Sequence, residues 1–139
     1  MAINFDLTWE PDREELSSLA GGLNRHAVEV IGEDGFRSLA IFVRDTDGSL
    51  LAGVSAFLNW NWLQVSLLWV DENVRGEGLG SELLERLESI ARKEGCTGAH
   101  VSTFSFQATP FYELQGYEIF ATLDNYPPGH AKHFLRKTL

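Results

Sequence analysis

The glycines at positions 76, 78 and 80 have the spacing in this sequence that most directly suggests chemistry. They alternate along a segment that joins an apolar stretch to a strongly amphipathic one. The first N–H groups of a helix have no partner within the helix, and the helix dipole places positive partial charge there. Glycines let a phosphate approach those N–H groups, and Arg75 adds a formal positive charge. The segment therefore predicts a cradle for a diphosphate.

Two familiar phosphate-binding motifs do not fit this segment. A P-loop ends in Gly-Lys-Ser/Thr, and no Gly-Lys pair occurs in the chain. The dinucleotide fingerprint needs glycine at its sixth position, where this sequence has Ser81. A glycine-rich turn that only lets a helix pack closely is the alternative explanation, and the segment alone leaves it open.

The elements that would position this loop alternate between strands and helices. Asp47-Gly48 predicts a hairpin turn, and residues 62–70 are nearly apolar on both sides, as expected for a central strand. The spacing of Leu79, Leu83, Leu87, Ile90 and Ala91 predicts an amphipathic helix that ends at Gly95. On its outer face we expect two ion pairs, Glu82 with Arg86 and Glu88 with Arg92. We predict strands over 3–8, 38–44, 50–58, 62–70, 99–104, 117–123 and 133–139, with a short helix over 110–115.

The N-terminal region has helical spacing that is interrupted by Gly21-Gly22. Pro11 suits a first helical turn, and Glu14 and Glu15 suit its positive end. Each glycine costs about 1 kcal/mol inside a helix, so we expect two short helices rather than one long one. Together with the later elements, this order predicts a mixed α/β sheet.

Composition narrows the classes of function. The 139 residues carry a formal net charge of −9, which disfavours nonspecific binding to nucleic acid or to anionic membranes. Cys96 is the single cysteine, so neither an internal disulfide nor a cysteine-based zinc site can form. The longest apolar run, 39–43, is far too short to span a membrane, and no leader pattern is present. We expect a cytoplasmic enzyme or binding module.

Two spaced motifs resemble those of the GNAT N-acetyltransferase superfamily. Residues 75–80, Arg-Gly-Glu-Gly-Leu-Gly, match the family pattern (Arg/Gln)-x-x-Gly-x-(Gly/Ala). Residues 111–117, Phe-Tyr-Glu-Leu-Gln-Gly-Tyr, resemble the later pattern Phe-Tyr-x-x-x-Gly-Phe/Tyr. The resemblance covers roughly residue 38 to the C-terminus. The chain departs from the family at Leu114-Gln115, where the family usually has a polar residue and then leucine.

The resemblance implies a fold, an activity and a cosubstrate. It implies one GNAT domain over 1–139, with a mostly antiparallel central sheet splayed in the middle and flanked by helices. The activity implied is direct transfer of an acetyl group from acetyl-CoA to a primary amine of a small molecule or protein, without a metal. A non-catalytic acyl-CoA sensor and a protein-interaction domain with a vestigial cradle are the alternatives. The net charge favours a cationic acceptor, and homodimers are frequent in the family.

The resemblance also assigns roles to individual residues. Tyr112 would protonate the leaving thiolate, and backbone N–H groups near Val70 would stabilise the oxyanion. The remaining residues that would contact acetyl-CoA are Leu68, Trp69, Val70, Arg75, Gly76, Glu77, Gly78, Leu79, Gly80, Ser81, Thr103, Gln107 and Phe111.

Several side chains have no assigned role at this stage. The general base is unassigned. Glu72 could serve or could be a solvated or capping carboxylate, and His130 could project toward the acceptor or be a surface-turn histidine. The acceptor side could be lined by Asn59, Asn61, Gln64, Ser66, Trp60, Trp62 and Trp69, or these residues could simply pack on the sheet. The His130-x-x-His133 spacing suits metal ligands but lacks a nearby third ligand. Cys96 is expected to be a buried apolar residue.

Overall fold

The computed structural model describes residues 1–33 and 35–139, and these two ranges form two compact units. The N-terminal unit contains one helix, α1, over Arg13–Ile31. It begins at Asp12, whose side chain accepts a hydrogen bond from the N–H of Glu14, and it ends at Gly32 with φ 79°. Residues 1–12 form no regular element.

Two predictions for this N-terminal region are wrong. No strand forms over 3–8, because those residues have no strand partner in the sheet. The region contains one helix of 19 residues rather than two short ones, and it continues through Gly21-Gly22. The capping carboxylate of Asp12 and the acidic first turn favour the helix by about 1 kcal/mol each. That gain offsets the cost of two glycines.

The C-terminal unit contains a six-stranded sheet in the order β1-β2-β3-β4-β6-β5. All neighbouring strands are antiparallel except β3 and β4, which are parallel. The mixed α/β architecture predicted from the sequence is therefore confirmed. The strands are β1 (Arg37–Arg44), β2 (Leu50–Asn59), β3 (Trp62–Val70), β4 (Gly98–Phe104), β5 (Glu118–Asp124) and β6 (Ala131–Thr138), and the helices are α2 (Leu79–Lys93) and α3 (Thr109–Leu114).

Strands β3 and β4 separate partway along their length. Their parallel pairing ends at Val65 and Val101, but β3 continues to Val70 and β4 continues to Phe104. The β2–β3 pairing shifts register where Ser55 pairs with Leu67 and Ala56 pairs with Val65, so that Ser66 is an extra residue in β3. Beyond this shift β2 stays paired with the outer part of β3, while β6 stays paired with β4. A gap thus opens in the middle of the sheet, and it has the splayed form that the family resemblance implies.

Helix α2 packs one face on the sheet and supplies much of the core. Leu83, Leu84, Leu87 and Ala91 are all buried there. Ile90, which we expected on this face, is partly exposed. The expected ion pair of Glu88 with Arg92 forms at 3.7 Å, but the prediction that Glu88 lies on the outer face is wrong. Glu88 is only 3% exposed, because its carboxylate also bonds Tyr117 and Lys137 from other parts of the chain.

Candidate active site

A cleft of about 650 Å³ opens where β3 and β4 diverge. The last residues of β3, the loop into α2 and the first turn of α2 form one side, and the segment between β4 and α3 forms the other. The cleft is lined by Leu68, Trp69, Val70, Val74, Arg75, Gly76, Gly78, Leu79, Gly80, Ser81, Phe106, Gln107, Ala108 and Phe111. The topology thus brings together two separate segments of the chain, 68–81 and 106–111.

The start of α2 presents free donors to this cleft. Gly78 precedes the helix in the left-handed conformation (φ 81°), and no side chain caps the helix. The N–H groups of Leu79, Gly80 and Ser81 donate to no acceptor in the parts of the chain that the structure describes. A Cβ added at Gly76 or Gly78 would project into open space. An anion can therefore approach these N–H groups closely.

Arg75 is held beside these donors by the end of β3. Its Nε donates a hydrogen bond to the carbonyl oxygen of Val70 over 2.9 Å. One edge of the guanidinium is thus fixed by the backbone, while the side chain remains exposed at the cleft. Positive charge is thereby added to the helix dipole at the same place.

The other end of the cleft lies against an aromatic group on α3. Phe111 lines the cleft, and its ring lies 3.4 Å from the position that a Cβ on Gly80 would occupy. Glycine at position 80 therefore permits close packing of α3 against α2. Tyr112 contacts Phe111 edge to face, with ring centroids 5.2 Å apart, and contacts Tyr117 at 5.7 Å.

Tyr112 is a buried phenol on α3. Only 4% of the residue is exposed, and its hydroxyl forms no hydrogen bond within residues 1–33 and 35–139. Burial raises the pKa of Tyr112 to about 12, because the phenolate would lose its hydration. The hydroxyl is therefore protonated at neutral pH.

Three residues that the resemblance assigned to the site do not line the cleft itself. Tyr112 lies in contact with the lining residue Phe111, and Glu77 is exposed in the loop. Thr103 is buried, and its Oγ1 accepts a hydrogen bond from the N–H of Ala108 over 3.3 Å. Thr103 thus shapes the turn that leads into α3.

Sequence reasoning missed three residues that the structure places in the lining. They are Val74, Phe106 and Ala108. Val74 ends a 3-10 turn that begins at Glu72, and the other two residues lie in the irregular segment before α3. Neither segment has a periodic pattern. The only available signal was position: Val74 directly precedes the first motif, and Phe106 and Ala108 lie between the two motifs.

The structure distinguishes the three tryptophans that the sequence could not. The ring of Trp62 lies over Gly98, where any Cβ would come within 2.7 Å of it, so Trp62 packs on the sheet. Trp60 occupies a turn with φ 45°. Trp69 is 45% exposed and lines the cleft.

The remaining candidates have ordinary surroundings. His130 contacts Phe106 edge to face at 5.0 Å, and His133 lies 3.0 Å from the hydroxyl of Thr122. No cluster of three potential metal ligands occurs among the residues that the structure describes. Cys96 is buried, and this burial raises the pKa of its thiol. Asn59 ends β2, Asn61 lies in the β2–β3 turn, and Gln64 and Ser66 are exposed on β3.

Comparisons with known proteins identify the family. The sequence profile of the acetyltransferase (GNAT) family matches residues 5–117. The chain therefore belongs to this family of acetyltransferases, which use acetyl-CoA.

Particular relatives agree with this assignment. A blasticidin-S acetyltransferase from Streptomyces morookaense is 48% identical over 93 residues, which cover 66% of this chain and 68% of that protein. An acetyltransferase from Agrobacterium fabrum is 33% identical over 97% of this chain and 98% of its own length. A crystal structure of an acetyltransferase from Agrobacterium tumefaciens, 32% identical, superimposes with a TM-score of 0.93 over 99% of this chain and 100% of that chain.

No helix in the described parts of the chain is both long enough and apolar enough to cross a membrane.

Proposed function

We propose that this chain, acting as a single domain over residues 1–139, transfers an acetyl group from acetyl-CoA directly to a primary amine in the cleft between β3 and β4. The observation that carries the proposal is the set of unpartnered N–H groups at the start of α2, which open on the cleft beside Arg75. They suit the diphosphate of the coenzyme because they offer several donors and positive potential to a doubly charged group.

The gap between the strands suits the pantetheine arm of the coenzyme. Residues 68–70 pair with β2 on one side, but they lie beyond the end of the pairing with β4 on the other. Backbone groups on that free side are available to hydrogen-bond the amides of the arm. Phe111 and Gln107 lie across the cleft and would flank it.

The same backbone supports the chemical step. A neutral amine attacks the thioester carbonyl, and the developing oxyanion accepts a hydrogen bond from a backbone N–H near Val70. One well-placed donor of this kind contributes about 2.7–4 kcal/mol to transition-state stabilisation. The C–S bond then breaks, the thiolate leaves, and the nitrogen loses its extra proton.

Tyr112 supports departure of the thiolate as a neutral donor. With a pKa of about 12, its phenol is a weaker acid than a thiol with an ordinary pKa near 8.5. Complete proton transfer would therefore be uphill by about 5 kcal/mol. Tyr112 accordingly stabilises the departing sulfur by a hydrogen bond and delivers its proton only as it receives one from the reacting amine.

Two features bear on the acceptor. The net charge of −9 favours approach of a cationic amine. At the cleft, Trp69 and Phe106 expose 45% and 56% of their surfaces, so an acceptor with an apolar or planar portion has rings to contact. A relative acts on blasticidin S, according to its name, and this compound belongs in any acceptor panel.

The proposal is tested by incubating the protein with acetyl-CoA and an amine panel. The panel contains spermidine, an aminoglycoside, blasticidin S and a lysine-containing peptide, and release of free thiol is followed. We expect acceptor-dependent thiol release with at least one amine and a mass increase of one acetyl group on that amine. Binding of acetyl-CoA without turnover on an expanded panel would instead favour an acyl-CoA sensor.

A further inference from the structure

A single hydrogen bond links the end of α3 to the first turn of α2. The Nε2 of Gln115 donates to the Oγ of Ser81 over 2.8 Å, across 34 residues of sequence. Ser81 lines the cleft beside the unpartnered N–H groups. Gln115 occupies one of the two positions at which the chain departs from the family pattern.

The direction of this bond determines what the Ser81 hydroxyl can do. An amide nitrogen only donates, so Ser81 Oγ is the acceptor and its own proton is not used in the bond. A serine hydroxyl in a helix often donates a hydrogen bond to the carbonyl oxygen four residues earlier. Ser18 in α1 does so, donating to the carbonyl of Glu14 over 3.1 Å, whereas Ser81 has no such bond within the described residues. Its proton is therefore available to a ligand in the cleft.

Gln115 is itself held in place from the interior. Its backbone carbonyl oxygen accepts a hydrogen bond from Lys137 Nζ over 2.8 Å. That ammonium also donates to the carboxylate of Glu88 over 2.7 Å, and Glu88 is only 3% exposed. The backbone of Gln115, which carries the donor to Ser81, is thus anchored to an ion pair whose carboxylate is buried.

A comparison of the exposure of Gln115 with that of Leu114, the residue before it, supports a specific role for Gln115. Leu114 is 85% exposed, whereas Gln115 is partly buried against α2. The apolar side chain of Leu114 thus faces water, whereas the polar side chain of Gln115 faces the protein. Hydrophobic burial does not explain that arrangement, but the bond to Ser81 does.

We propose that Gln115 is a positioning residue for the coenzyme: it orients Ser81 so that the serine hydroxyl donates to a phosphate oxygen of the diphosphate. The inference rests on the proposed function. Because a hydrogen bond to a charged acceptor is stronger than one between neutral groups, its loss has a measurable effect on coenzyme binding.

The test compares Gln115→Ala, Ser81→Ala and the double variant, with acetyl-CoA and with acetyl-pantetheine, which lacks the diphosphate. We expect each single variant to lower kcat/KM for acetyl-CoA by roughly tenfold through KM, with kcat unchanged. The double variant should be no worse than Ser81→Ala, and kcat/KM for acetyl-pantetheine should stay at the wild-type value. Leu114→Ala is the matched control, because it removes an adjacent exposed side chain, and it should behave as wild type.

Three results would overturn the proposal: no effect of Gln115→Ala, effects of the two single variants that multiply, or an equal loss with acetyl-pantetheine. If Gln115→Ala fails to fold, Gln115→Met keeps the length of the side chain without the donor. If the wild type turns over no amine, the proposed function fails. The positioning role is then tested separately, by calorimetric titration of the same variants with CoA and with pantetheine.

Discussion

At the scale of single residues, Tyr112 is the clearest test of the chemistry. Tyr112→Phe removes a hydroxyl that bonds to no group in the described part of the chain, so the thermal stability should be nearly unchanged. The acetylation rate at saturating substrates should fall by roughly 100-fold, within the range for a general acid. Steady-state kinetics and calorimetry check this together. Unchanged turnover would remove Tyr112 from the mechanism, and a comparable loss of CoA affinity would assign it to binding instead.

The raised pKa of the same phenol predicts the pH profile. Because burial raises the pKa of Tyr112 to about 12, its proton remains in place throughout the range in which an acceptor amine becomes neutral. The rate should therefore rise with pH as the acceptor deprotonates and then level off, with no descending limb up to about pH 10. Initial rates with one acceptor across that range test this. A decline beginning near pH 9 would show that a more acidic group supplies the proton.

At the scale of elements, the ion pair of Glu88 and Lys137 fastens α2 to β6. Glu88 also accepts a hydrogen bond from the Tyr117 hydroxyl over 2.8 Å. Glu88→Ala would leave the ammonium of Lys137 without its carboxylate, and we expect a loss of about 3–5 kcal/mol in the free energy of unfolding. Urea unfolding measures this loss.

A neighbouring residue on the same helix serves as the control. Glu82 pairs with Arg86 over 2.8 Å, but both side chains are more than half exposed. Glu82→Ala should therefore cost only about 0.3–0.5 kcal/mol. Equal losses in the two variants would contradict the assignment of Glu88 as a buried anchor.

Elements with strong periodic patterns were predictable from the sequence, and those that depend on distant partners were not. The spacing of Leu79, Leu83 and Leu87 fixed α2, and β3 was placed with its observed bounds. Glu88 was misplaced because its partners, Tyr117 and Lys137, lie 29 and 49 residues away in sequence. The i, i+4 spacing within a helix indicates Arg92 as a partner of Glu88, but it cannot indicate partners as distant in sequence as Tyr117 and Lys137.

At the scale of the whole molecule, the two family motifs located the cleft, but they did not determine which intervening residues line it. Arg75 and Phe111 mark its two sides and could be identified from the motifs. Phe106 and the Gln115–Ser81 bond depend on how α3 packs against α2, which no single-segment pattern encodes. The strand expected over 3–8 illustrates the same limit, since a strand exists only where a partner pairs with it.

The charge of the molecule leads to a prediction about acceptors. An excess of nine negative charges should attract cationic amines, and this attraction is screened by salt. The kcat/KM for a polycation such as spermidine should therefore fall severalfold between low salt and about 0.5 M salt. A neutral amine of similar size should change little. Equal salt dependence for both acceptors would show that net charge does not steer binding.

Binding of CoA to variants with a side chain at position 78 tests the diphosphate cradle most directly. Gly78 and Gly48 have nearly the same positive φ, 81° and 85°, and a Cβ at either would enter open space. Gly78→Val and Gly48→Val therefore impose similar backbone strain, but only the first places methyl groups before the N–H groups of α2. In calorimetric titrations with CoA, Gly78→Val should bind at least tenfold more weakly than wild type, and Gly48→Val should bind normally. Equal affinity of all three proteins would contradict the cradle.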